Sequence, residues 1–131
     1  MSTLKIYIDP NYPKPVVSIL ESIQNLQKKK NFEIIRWKNS DIPTSELNNS
    51  IFLVVDYQKR GLSIPTIKQA AEGYKTIVCR VSKKKIDRFE FMMTLLRVWP
   101  FILEKKEQLN SSTLLTFKYG GRKLTKYKNA G

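Results

Sequence analysis

The chain has no histidine and only one cysteine among its 131 residues. The missing histidine removes Ser-His-Asp and Cys-His nucleophile systems, imidazole general bases and imidazole metal sites together. A single thiol, Cys79, excludes an internal disulfide and any zinc site built on paired cysteines. Cys79 lies within the apolar run 76–81, where a buried strand cysteine is expected. No apolar run approaches the roughly 20 residues that span a bilayer, and residues 1–4 do not open a signal peptide. A cytoplasmic protein without a membrane partner is expected. Acids are scarce as well, 11 against 24 Lys and Arg. Any chemistry must then rest on carboxylates, hydroxyls, lysines or a bound metal.

What is present is positive charge, and it is lopsided. The formal net charge is +13. Residues 1–56 hold 7 basic and 6 acidic side chains, whereas residues 57–131 hold 17 and 5. From Asn110 onward there are five basic residues and no acid. Evenly scattered lysines would describe a solubilising surface, but a one-sided excess attracts polyanions, through counterion release when the partner is nucleic acid.

At this length one domain over residues 1–131 is expected. Residues 4–8 alternate as a short strand that ends at Asp9-Pro10. Val16, Ile19, Leu20, Ile23 and Leu26 recur at helical spacing to about Lys28. Strands follow at 32–37 and 51–55, with a helical turn at 44–47 between them. The nearly continuous apolar run 51–55 suits a central strand covered on both faces. A short helix at 65–72 closes at Gly73, and residues 75–81 form a fourth strand. Ser82 is expected to open a long helix to about Leu109. Its apolar stripe would be Phe89, Met92, Met93, Leu96, Trp99 and Leu103, facing a core or a dimer interface, and Pro100 is expected to kink it. Around Gly120-Gly121, residues 113–128 read as a hairpin, since paired glycines supply positive φ. Strands alternating with helices predict an α/β fold, a three-layer α/β/α sandwich with a mainly parallel sheet plus this C-terminal β-hairpin.

In such sheets the cleft lies beyond the carboxyl ends of the strands. Asp9 and Asp56 fall there by spacing. Glu46, with Asp41 as its rival, reaches that edge only if the loop before the third strand carries it across. Clustered carboxylates without histidine suit Mg²⁺ or Mn²⁺, which take oxygen ligands and polarise a phosphodiester. The plainer alternative is that these aspartates cap turns and helices.

Gly120-Gly121 lacks the lysine and helix start of a phosphate loop and is read as a turn. Lys83-Lys84-Lys85 fits either a phosphate clamp or a solvated helix start. In the hairpin, Phe117 and Tyr119 share a face while Lys118 points away. Beyond the turn, Arg122, Leu124 and Lys126 alternate with Lys123, Thr125 and Tyr127. Such interleaving can hold a backbone and stack a base, or protect a sheet edge from aggregation.

The chain resembles the small PIN-like proteins. The similarity lies in Asp9-Pro10-Asn11-Tyr12-Pro13 after the first strand, Asp56 after the third, the segment MTLLRVWPFIL at 93–103 and LTFKYGGR at 115–122. The resemblance implies a parallel α/β/α sandwich and metal-dependent RNA endonuclease activity, often as a VapC-type toxin held by an antitoxin protein and often as a homodimer. It implies Asp9 and Asp56 as Mg²⁺ or Mn²⁺ ligands and Glu46 as the acid that completes the shell or orients the attacking water. The family's fourth acid, shortly after the third strand, is replaced here by Tyr57-Gln58-Lys59-Arg60. Glu90 or Asp87 substitutes only if the long helix passes the cleft.

Three functions are therefore expected to compete. The first is a metal-dependent ribonuclease with catalytic Asp9, Glu46 and Asp56, acting on RNA rather than DNA held by Lys59, Arg60, Arg97, Lys118, Arg122, Lys123 and Lys126. The second is a non-catalytic nucleic-acid-binding module of the same fold. The third is a basic module that docks an acidic protein.

Overall fold

The computed structural model of the protein describes residues 4–26, 32–38, 42–57, 61–81, 86–105 and 114–127. Ten elements follow in chain order: β1 (Leu4–Ile8), α1 (Val16–Gln24), β2 (Phe32–Arg36), α2 (Thr44–Leu47), β3 (Ser50–Asp56), α3 (Ile64–Ala71), β4 (Thr76–Arg80), α4 (Arg88–Lys105), β5 (Leu114–Lys118) and β6 (Thr125–Lys126). They build a six-stranded sheet in the order β2-β1-β3-β4-β5-β6. The first five strands are parallel, and β6 alone runs antiparallel, against β5. The expected α/β class and closing hairpin are both present.

Every residue of β3 is buried, as its apolar run requires of a strand with covered faces. The period of two in the strands then sorts the core into two layers. Ile51, Leu53 and Val55 face one side with Val16 and Leu20 of α1 and Leu95, Val98 and Ile102 of α4. Phe52 and Val54 face the other with Leu47 of α2 and Leu62 and Ile67 at α3. On that second side Phe52 stacks on Tyr7, ring centroids 5.0 Å apart and planes within 9°. Cys79 is fully buried in the first layer, as expected of a strand cysteine.

Two sequence expectations shift. Helix α4 begins at Arg88, where Asp87 Oδ1 accepts the Phe89 N–H at 2.9 Å and caps it; the expected limits Ser82 and Leu109 lie outside the described residues. Its buried stripe is Phe91, Leu95, Val98, Trp99 and Ile102, while Phe89 is 71% exposed. The helix is apolar nearly all round, so periodicity does not by itself select the core face. Trp99 belongs to that core, edge-on to Phe32 at 6.1 Å. Pro100 lies inside α4, which continues to Lys105.

The hairpin is also looser than paired glycines suggest. Gly120, at φ +80°, sits in a turn closed by the Gly121 N–H on Lys118 O at 2.7 Å. Thr116 pairs with Thr125 and Leu115 with Lys126, so residues 117–124 extend past the end of the pairing. Only two residues of the expected second strand join the ladder. Among the described residues no helix is long and apolar enough to cross a membrane.

Candidate functional site

Five parallel strands bring their carboxyl ends to one edge of the sheet. Ile8, followed by Asp9, lies opposite Arg36, Asp56 opposite Arg80, and Arg80 opposite Lys118. In spatial order the edge therefore reads Arg36, Asp9, Asp56, Arg80, Lys118. Two acids at the centre are flanked by cations.

Both acids are buried and committed to the main chain. Asp9, 7% exposed, accepts the Asn11 N–H on Oδ1 at 2.9 Å and the Val55 N–H on Oδ2 at 3.0 Å. It thereby extends the β1–β3 ladder beyond the last strand residue. Asp56, 4% exposed, accepts the Ser63 N–H at 2.8 Å and the Ser63 hydroxyl at 2.9 Å, both on Oδ2. Ser63 is the N-cap of α3, so Asp56 anchors that helix start to the end of β3. The hydroxyl of Ser63 also lies 2.9 Å from that of Thr66.

Glu46 does not join them. It sits exposed on α2, and its carbonyl accepts the hydroxyl of Ser50, the first residue of β3. That places it at the amino end of the strand whose carboxyl end carries Asp56, about 20 Å away at strand rise. The loop before β3 does not carry the acid across the sheet. Asp41 lies outside the described residues. Neither substitute fills the gap: Glu90 pairs with Arg97 at 2.9 Å, and the Asp87 carboxylate caps α4. Among the described residues no group of three or more His, Cys, Asp or Glu side chains converges. These residues do not fit the three-acid Mg²⁺ or Mn²⁺ centre that the resemblance implies, and no hydrolytic step follows from them.

The cations do converge. A cleft of about 480 Å³ opens where β4 and β5 end, lined by Arg80, Thr116, Lys118, Arg122, Lys123 and Thr125 among others and, among the described residues, by no acid. Its far wall is the widened turn after β5. Helix α4 holds that turn, because Thr94 Oγ1 accepts the Gly120 N–H at 2.9 Å while donating to the Glu90 carbonyl at 2.8 Å. Arg80 donates from Nη2 to the Gly61 carbonyl at 3.1 Å, which steadies it. Four cations and two hydroxyls in one cleft can take several phosphate oxygens at once.

Of the residues expected to hold nucleic acid, Lys118, Arg122 and Lys123 line this cleft. Lys59 and Arg60 lie outside the described residues. Arg97 is engaged by Glu90. Lys126 pairs in register with Leu115, which packs in the α1–α4 layer, so it faces away from Thr125 and the cleft. Arg80 was missed by sequence reasoning. Its signal was its place: the last residue of an apolar strand parallel to those that end at Asp56 and Lys118. Comparisons with protein-family models, with curated proteins and with solved structures found no match to this chain.

Proposed function

We propose that this protein is a nucleic-acid-binding domain that holds a single-stranded RNA backbone along the carboxyl edge of its sheet, without hydrolysing it. The supporting observation is the cleft lined by Arg80, Lys118, Arg122 and Lys123, with no acid among its described lining residues. Arg80 and Lys118 stand at strand ends fixed by the ladder, which lowers the ordering cost of binding for these two cations. The excess charge of the second half of the chain adds a long-range attraction for polyanions. The resemblance to PIN-like proteins favours RNA as the polyanion. Asp9 and Asp56 act on this reading as the struts that shape the edge, with their oxygens turned to the backbone.

The test is fluorescence anisotropy with a labelled single-stranded RNA of mixed sequence in buffer containing Mn²⁺, followed by a gel of the same RNA. Wild type should bind, Lys118→Glu with Arg122→Glu should weaken binding at least about tenfold, and the RNA should stay intact. Wild-type cleavage that Asp56→Asn abolishes would replace this reading with the catalytic one. Equal affinity in wild type and the double variant would refute it.

A further inference from the structure

A second cleft, of about 550 Å³, opens at the same edge of the sheet, over the ends of β1, β2 and β3. Among the described residues its charged lining is Lys14, Arg36 and Arg88, with no acid. Arg36 donates from Nη2 to the Pro10 carbonyl at 3.2 Å. Its Nη1 is shielded from solvent and has no hydrogen-bond partner among the described residues. The hydroxyl of Tyr12, a residue 1% exposed that also lines the cleft, is likewise without a partner. Both atoms are enclosed by protein rather than open to the cleft, so what the cleft itself offers a ligand is the positive charge of its three cations. Asp9, whose neighbours Pro10 and Asn11 line the cleft, directs its oxygens at the Asn11 and Val55 N–H groups. Helix α1 begins at the cleft wall with no side-chain cap and no acid in its first turn, so its positive end adds to the same field.

The lining also includes a ring. Tyr57, the first residue after β3, is 51% exposed and presents an aromatic surface beside the three cations. The volume is sufficient for a nucleotide-sized ligand.

From these features we infer that this cleft binds a nucleotide carrying a terminal phosphate monoester, the phosphate on Arg36 with Lys14 and Arg88, the base on Tyr57. A monoester carries up to two negative charges, against one for a phosphodiester, and three cations without an acid match the former better. Two sources share this chemistry: a free nucleoside monophosphate, and the phosphorylated end of a strand whose backbone continues into the Arg80–Lys118 cleft. The ends of β1 and β5 are three strand spacings apart, on the order of 15 Å, a gap that a few nucleotides bridge. The second source rests on the proposed RNA-binding function, and the first does not.

The experiment titrates wild type, Arg36→Gln and the exposed Arg88→Gln with three probes. These are adenosine 5′-monophosphate and one RNA oligonucleotide with either a 5′-phosphate or a 5′-hydroxyl. Circular dichroism checks that each variant is folded. Saturable binding of the monophosphate, or about tenfold tighter binding of the phosphorylated RNA, should occur in wild type. Either gain should disappear in Arg36→Gln and fall in Arg88→Gln. A gain confined to the free nucleotide or to the strand end identifies the source, and both support the site. Equal binding of the two RNAs with no binding of the monophosphate overturns it while leaving the RNA-binding reading standing. Monophosphate binding with neither RNA bound does the reverse.

Discussion

Asp9 Oδ2 accepts the N–H of Val55 at 3.0 Å, so a side chain completes the pairing of β1 with β3 where the main chain of β1 turns away. The residue that looks most like a catalytic acid in the sequence is a structural acceptor for a buried backbone donor.

That relationship sets the cost of removing it. Asp9→Ala leaves the Val55 N–H buried without an acceptor and should destabilise the fold by about 2–3 kcal/mol in urea denaturation. Asp9→Asn keeps one oxygen to accept with and should lose roughly half as much. A change below about 0.5 kcal/mol for Asp9→Ala would contradict the structural role.

Asp56 and Ser63 should behave as one unit. Asp56→Ala and Ser63→Ala remove opposite ends of the same hydroxyl–carboxylate bond at 2.9 Å. The double variant should be about 1 kcal/mol less destabilised than the sum of the singles, measured by a double-mutant cycle. Additive effects would show that the two side chains act independently.

The sheet was legible because its strands are short apolar runs that end in charged residues, and parallel strands must deliver those ends to one edge. That rule located Asp9 and Asp56. Applied to FEIIR and TIVCR as well, it would have found Arg36 and Arg80, which look like ordinary surface cations when read singly. Glu46 was misplaced because only the path of a loop decides which end of a sheet it reaches, and no spacing rule encodes that path. The stripe of α4 was legible in part: Trp99 is in the core and Met92, Leu96 and Leu103 pack against it, while Phe89 is exposed and Phe91, Leu95, Val98 and Ile102 supply the rest. Its apolar residues surround the helix, and the core face is chosen by partners such as Tyr12, whose ring meets Phe91 edge-on at 5.1 Å.

Burial pushes the Cys79 thiol up to about 12, from an ordinary value of 9.0. Between those values the folded state keeps a proton that the unfolded chain releases. Stability should therefore fall as pH rises above 9, by up to about 1.4 kcal/mol per pH unit. Tyr12, also raised by burial, adds a loss of the same sign above pH 10. Lys75 opposes both: burial lowers its value, so the unfolded chain binds more protons just below 10.5 and stability rises there. Denaturant midpoints measured between pH 9 and 10 should decline less steeply in Cys79→Ala than in wild type. Parallel slopes would contradict the assignment to this thiol.

Arg97 provides a control for charge. Its guanidinium pairs with Glu90 at 2.9 Å, with both side chains about one-third exposed. Arg97→Ala should cost at most about 1 kcal/mol of stability and leave RNA affinity within about twofold of wild type. A large loss of affinity would place Arg97 on the binding surface.

The most direct measurement is the salt dependence of single-stranded RNA binding. If Arg80, Lys118, Arg122 and Lys123 each meet a phosphate, log Kobs should fall with log[salt] at a slope of about −3, since each neutralised phosphate contributes about −0.7. Lys118→Ala combined with Arg122→Ala should halve that slope. No measurable binding at low salt, or a slope that the double variant leaves unchanged, would contradict an RNA-holding carboxyl edge.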